Sequence, residues 1–180
     1  MAMKSKTFSL LGLIFCLACL TALIISFASD KWVVSTETEV VGFKNLGLWS
    51  VCFEMYQPPP YALVDRRYDG CWWVLDKELE LLRHYLFPDW FVGTQVLVTL
   101  GLVFELICLI GQIVNIINCF PHSRFKEKIT LGISLTAGLL HGITGVLLSV
   151  AVIMFGVRAS NSSGWIEKPD QNYLSWSFGM

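Results

Sequence analysis

Three stretches of this chain are too long and too apolar to be anything but helices in a lipid environment. Phe8 to Ala28 runs for 21 residues without a charge. Phe91 to Asn118 holds one acid, Glu105, and no base. Ile129 to Val157 has no charge and one histidine, His141. A bilayer core of about 30 Å takes about 20 helical residues, so each run can span it with some tilt. The competing reading is a buried helix of a water-soluble protein, which normally keeps one polar face; three such runs in 180 residues argue against it. Composition agrees, since 15% of residues are charged where a soluble domain carries about 25%. Net charge −1 and pI ≈ 6.3 also argue against a disordered chain and against a nucleic-acid binder.

The first run has features of a cleaved signal: Lys4 and Lys6 precede it, and Ser26-Phe27-Ala28 resembles a cleavage site. Its apolar stretch is longer than the 7–15 residues usual in such signals. Trp32 then stands where an interfacial aromatic anchor belongs. A retained span is the expectation. Lys4 and Lys6 precede the first span, while Arg124, Lys126 and Lys128 lie between the second and third. Basic residues near short loops mark the cytoplasmic side. The expected layout is a cytoplasmic N-terminus (1–7), a span (8–28), an extracellular loop (29–90) and a second span (91–118). A cytoplasmic loop (119–128), a third span (129–157) and a second extracellular segment (158–172) follow. The long loop holds ten acids and six bases, so it is acidic where the cytoplasmic segments are basic.

That loop reads as a small sheet. Trp32-Val33-Val34 and Val40 to Phe43 are short runs rich in β-branched residues, and Leu46 to Phe53 and Cys71 to Leu75 are two more candidate strands. A turn-rich insert containing Pro58-Pro59-Pro60 separates the last two. Asp76 is a candidate N-cap for a helix from Glu78 to Phe87, with Leu75, Leu79, Leu82 and Leu86 forming one apolar stripe. The stripe faces either the sheet or the membrane surface, or it lines a peptide groove.

The six cysteines divide by environment. Cys16, Cys19 and Cys108 lie inside spans, as small apolar fillers. Cys119 borders the cytoplasmic loop and is either a palmitoylation site or an unmodified interfacial residue. Cys52 and Cys71 alone fall in the extracellular loop, where the environment is oxidising, and two cysteines have one possible pairing. Glu105 is the one acid inside a span, and such a residue is a functional candidate by default. It is a proton or cation relay, a hydrogen-bonded partner of His141, or a residue satisfied by a neighbouring hydroxyl. Ser134, Gly138 and Gly142, continued by Gly145 and Ser149, form a small-residue ladder suited to close helix packing, within one bundle or between copies. Asn161-Ser162-Ser163 is a glycosylation sequon beside the membrane. No catalytic set, phosphate loop or metal-ligand spacing occurs, so an enzyme, a cofactor and a metal are not expected from the sequence.

Trp32, then Gly47-Leu48-Trp49, then Cys52 and Cys71, resembles the W…GLW…C…C signature of claudins. The unit lies between the first and second spans, as that signature does. The chain is similar to members of the claudin and peripheral-myelin-protein superfamily from Lys6 to its end. Tetraspanin and connexin cysteine patterns do not occur. The resemblance implies an α-helical transmembrane bundle bearing a small extracellular antiparallel β-sheet. It also implies assembly with itself and other claudin-like proteins in cis and in trans, contact with other junction proteins, and a plasma-membrane location at lateral cell contacts. An auxiliary subunit of a channel or receptor is the alternative within the same superfamily. Arg83 is the nearest match to an arginine that recurs near the end of the family's loop. The interval from Cys52 to Cys71, with its three prolines, suggests an invertebrate, septate-junction type. Residues 173–180 resemble the opening of the family's fourth span, so the expectation is three complete spans of four, in a truncated chain.

Overall fold

The computed structural model of the chain describes residues 2–36, 42–58, 66–117, 124–161, 165–166 and 172–180, with backbone alone over 2–8 and 124–127. Three long helices carry the apolar runs: α1 (Ala2–Ala28), α3 (Asp89–Ile117) and α4 (Arg124–Asn161). A short helix, α2 (Glu80–Leu86), precedes α3. The described residues also form five strands: β1 (Val33–Ser35), β2 (Gly42–Leu46), β3 (Ser50–Tyr56), β4 (Tyr68–Trp73) and β5 (Asn172–Leu174). In lipid every backbone N–H and C=O needs an internal partner, and a continuous helix supplies it. The fold is an α-helical transmembrane bundle with a small antiparallel sheet.

The chain forms two compact units. One comprises Met1–Ile24 and Leu97–Val150, the other Ile25–Val96 and Ala151–Met180. In the first, α3 and α4 run against each other along a matched stripe. Gly101 leaves room for Leu148, whose Cδ2 lies 3.2 Å from where a Cβ would stand. Glu105 meets His141, and Cys108 Sγ lies 3.6 Å from the Ala137 carbonyl. Gly111 faces Ile133, and Asn115 Nδ2 lies 3.4 Å from Ser134 Oγ. On α3 these positions step by three or four residues, the repeat that keeps one helix face on its partner. Phe15, Ile110, Leu135 and Leu139 point outward, an apolar surface of the kind that lipid covers.

Of the small-residue ladder, Ser134 lies on this stripe and the glycines do not. Ser134 bonds Asn115, but a Cβ added at Gly138, Gly142 or Gly145 would meet nothing within 4 Å. The α4 residues turned to α3 are instead Ile133, Ala137, His141, Thr144 and Leu148.

The second unit holds the sheet, ordered β4-β3-β2-β1-β5 and antiparallel throughout. Several strand boundaries differ from expectation: β2 runs from Gly42 to Leu46 where Val40 to Phe43 was expected, with Val40 and Val41 outside the described residues, and β4 runs from Tyr68 to Trp73 where Cys71 to Leu75 was expected. The run from Leu46 to Phe53 is not one strand, because β2 ends at Leu46, Gly47 to Trp49 turn, and β3 starts at Ser50. The turn closes with Gly47 N–H donating to the Ser50 carbonyl at 2.8 Å. Tyr173 and Leu174, expected to open a helix, form β5 on the edge of β1, pairing Val33 with Leu174 and Val34 with Tyr173. An extended edge with free backbone groups takes up a short segment at less cost than nucleating a helix. Trp176, Ser177 and Phe178 then lie in turns.

Asp76 caps as expected, its Oδ1 accepting from Glu78 N–H at 3.1 Å. The first turn is a 3-10 turn, Lys77–Leu79, before α2 begins. Leu79, Leu82 and Leu86 are buried. Leu75 lies outside the stripe, 60% exposed, because it precedes the cap and is not helical.

Candidate functional site

The Gly47-Leu48-Trp49 turn is built from three different constraints. Gly47 has no room for a side chain: a Cβ there would stand 2.2 Å from the Ser29 carbonyl oxygen and 2.5 Å from Asp30 Cα. Leu48 is fully buried, and its carbonyl accepts from Gln95 Nε2 at 2.7 Å. Trp49 stacks on Trp73 of β4 with centroids 6.0 Å apart and 16° between planes, and packs against Phe27 at 5.4 Å. Its carbonyl accepts from Val74 N–H at 2.9 Å.

Cys52 and Cys71 form a disulfide directly across the β3–β4 register. It lies three residues from Trp49 and two from Trp73, so one covalent bond and one aromatic stack tie the same two strands. Asp30 lies beside this pair, but both sulfurs are consumed by the bond and offer no thiolate to a metal.

Trp32 anchors the turn from the other side. It is buried, its Nε1–H donates to the Ser26 carbonyl at 2.8 Å, and its backbone bonds Leu46 and Ser175. Its ring meets Phe155 edge-on at 5.0 Å and Phe178 at 5.9 Å. Phe155 in turn touches Trp90, Phe91 and Trp165, and the Trp165 Nε1–H donates to the Leu86 carbonyl at 2.9 Å. Edge-to-face pairs of this kind add about 0.5–1.5 kcal/mol each beyond area burial. Trp32 was legible in the sequence. Phe155, Trp165 and Phe178 were not, since they lie in the third span, in the segment 158–172 and in residues 173–180, remote from any motif.

Arg83 sits on α2 with Nη2 3.3 Å from the Asp76 carbonyl, which makes it a local brace between cap and helix. Asn161 ends α4 and is exposed. The other residues of its sequon, Ser162 and Ser163, lie outside the described residues, as does Cys119. Within the spans, His141 Nδ1 lies 3.0 Å from Glu105 Oε1, so the two polar groups that stood out in the sequence face each other.

The Gln95 bond gives a clean measurement. In Gln95→Leu the Leu48 carbonyl stays buried and loses this donor, a loss of about 1–3 kcal/mol. The thermal midpoint of the detergent-solubilised chain should fall, while Gln95→Glu protonated at low pH should recover part of the loss.

A family model described as PMP-22/EMP/MP20/Claudin tight junction matches residues 16–180. Comparison with curated proteins and with solved structures finds no match.

Proposed function

Because the chain belongs to the PMP-22, EMP, MP20 and claudin family, we propose that it is a structural protein of cell–cell junctions that forms or regulates a paracellular barrier. Copies associate side by side in one membrane and across two cells, with themselves or with other claudin-like proteins. The observation that carries this reading is the turn of Gly47, Leu48 and Trp49, tied by the Cys52–Cys71 bond into a five-stranded sheet. Such a unit is a disulfide-braced sheet carried between membrane spans, suited to adhesion.

Orientation supports it. With Lys4, Lys6, Arg124, Lys126 and Lys128 cytoplasmic, the sheet lies outside the cell, where its disulfide persists. The acidic excess of residues 29–90 concentrates cations in any narrow passage that it lines. The long Cys52–Cys71 interval favours a septate type of junction.

The test is a tagged chain in polarised epithelium, combined with tracer flux after its loss. Concentration at lateral contacts, with tracer leak on depletion, is expected. A uniform surface distribution, unchanged tracer flux and co-purification with a channel would instead support an auxiliary-subunit role.

A further inference from the structure

Three spans meet at one point inside the first unit. Cys16 of α1, Glu105 of α3 and His141 of α4 bring a sulfur, a carboxylate oxygen and a ring nitrogen within 4.8 Å of one another. All three line a cleft of about 390 Å³. We propose that this trio is an intramembrane Zn²⁺ site, independent of the junctional role.

The Glu105–His141 hydrogen bond alone does not account for the arrangement. It satisfies Oε1 but leaves Oε2 buried without a partner. In the low dielectric of a membrane span, an orphaned carboxylate oxygen is costly. Cys16, 1% exposed, places its thiol beside that carboxylate. Thr144 Oγ1 is a second buried polar atom without a partner, and it lines the same cleft. An ion held by the trio removes the first deficit directly. A water completing its coordination in the cleft gives Thr144 a partner.

Donor chemistry selects the metal. A thiolate, an imidazole and a carboxylate form the mixed set that Zn²⁺ accepts, whereas Mg²⁺ and Ca²⁺ want oxygen alone. Charge selects it too. Zn²⁺ with one thiolate, one carboxylate and one neutral imidazole sums to zero, the least expensive state for an ion in a bilayer. Binding releases the thiol proton, and the carboxyl proton as well where Glu105 carries one; no bond other than these and the coordinate bonds changes. Tetrahedral zinc places its donors roughly 3.3–3.7 Å apart, given bonds of about 2.0–2.3 Å. Side-chain torsions must therefore bring the Cys16 sulfur closer by up to about 1 Å, while Glu105 Oε1 and His141 Nδ1, 3.0 Å apart, open slightly and exchange their hydrogen bond for the ion. Three protein ligands with an open fourth position is the coordination of a zinc ion that keeps an exchangeable water.

The experiment uses the full chain, purified with a histidine-free tag, stripped with a chelator and held in lipid nanodiscs. Titration with Co²⁺ should give a thiolate-to-metal charge-transfer band saturating at one ion per chain, and Zn²⁺ should displace it. Cys16→Ser should abolish the band. Glu105→Gln and His141→Gln should each weaken binding at least tenfold. Cys19→Ser, which lines the same cleft outside the trio, should leave the band intact. Zinc-edge X-ray absorption on the unaltered chain gives a variant-free measurement, with one sulfur and two or three nitrogen or oxygen neighbours expected. Absence of the charge-transfer band, its survival in a Cys16→Ser chain, or an absorption spectrum without sulfur would overturn the proposal.

Discussion

Gly47→Ala is expected to be the most damaging single substitution in the sheet unit, costing on the order of 4 kcal/mol. The reason is space. The added Cβ would fall 2.2 Å from the Ser29 carbonyl oxygen and 2.5 Å from Asp30 Cα. Both are backbone atoms, so no side chain can rotate away. Either the turn must open, which breaks the Gly47–Ser50 bond and withdraws Leu48 from its pocket, or the segment after α1 must move, which disturbs Trp32. Gly70→Ala is the matched comparison. Gly70 has φ +80 with nothing within 4 Å of a Cβ, so only the left-handed backbone penalty applies, about 1–2 kcal/mol. Melting both variants in the same detergent should rank them clearly. An equal loss would show that the tight approach of Gly47 is not what holds the turn.

Loss of the disulfide is the second large effect. Cys52 and Cys71 are separated by 19 positions, and closing a loop of that size constrains the unfolded chain by about 3 kcal/mol in the chain-entropy account. β4 is an edge strand buried at Tyr68 alone among its residues, so Cys52→Ser should unfold β4 and hold the chain in the secretory pathway. Cys71→Ser should do the same. The double variant should be no worse than either single one, since each removes the same bond. Surface biotinylation and non-reducing peptide mapping read both outcomes. Free thiols at both positions in the mature chain, or one single variant that behaves normally, would refute the pairing.

The three spans were readable because an apolar run of more than twenty residues with at most one charge has few physical solutions. The cysteine pair was readable because it had no competitor in its compartment. The turn at Gly47 was not. Leu46 to Phe53 is locally an apolar run, and what breaks it is the backbone at Ser29 and Asp30, a tertiary neighbour that local pattern does not report. Leu75 failed for the opposite reason, since helical spacing was extended one turn ahead of the Asp76 cap that starts the helix. Tyr173 and Leu174 read as the start of a span, but the open edge of β1 captures them. In the spans, Glu105 and His141 were each visible as isolated polar residues. That Cys16 joins them depends on relative depth and rotation of three helices, which one chain's spacing does not encode.

The position of β5 dictates an order of events during synthesis. β1 to β4 come from one continuous stretch and pair with near neighbours, so that meander and its disulfide can form while later spans are still being made. β5, by contrast, joins β1 across most of the chain, and the neighbouring bonds between Ser177 and both Ser26 and Lys31 span 151 and 146 residues. Closures at that separation come late, after the loop entropy between them has been overcome. The outer edge of β1 therefore stays unpaired from the moment it emerges until residues 172–174 arrive. During that interval it is the part of the nascent sheet most open to strand addition by another chain, and the part a lumenal chaperone would have most reason to cover.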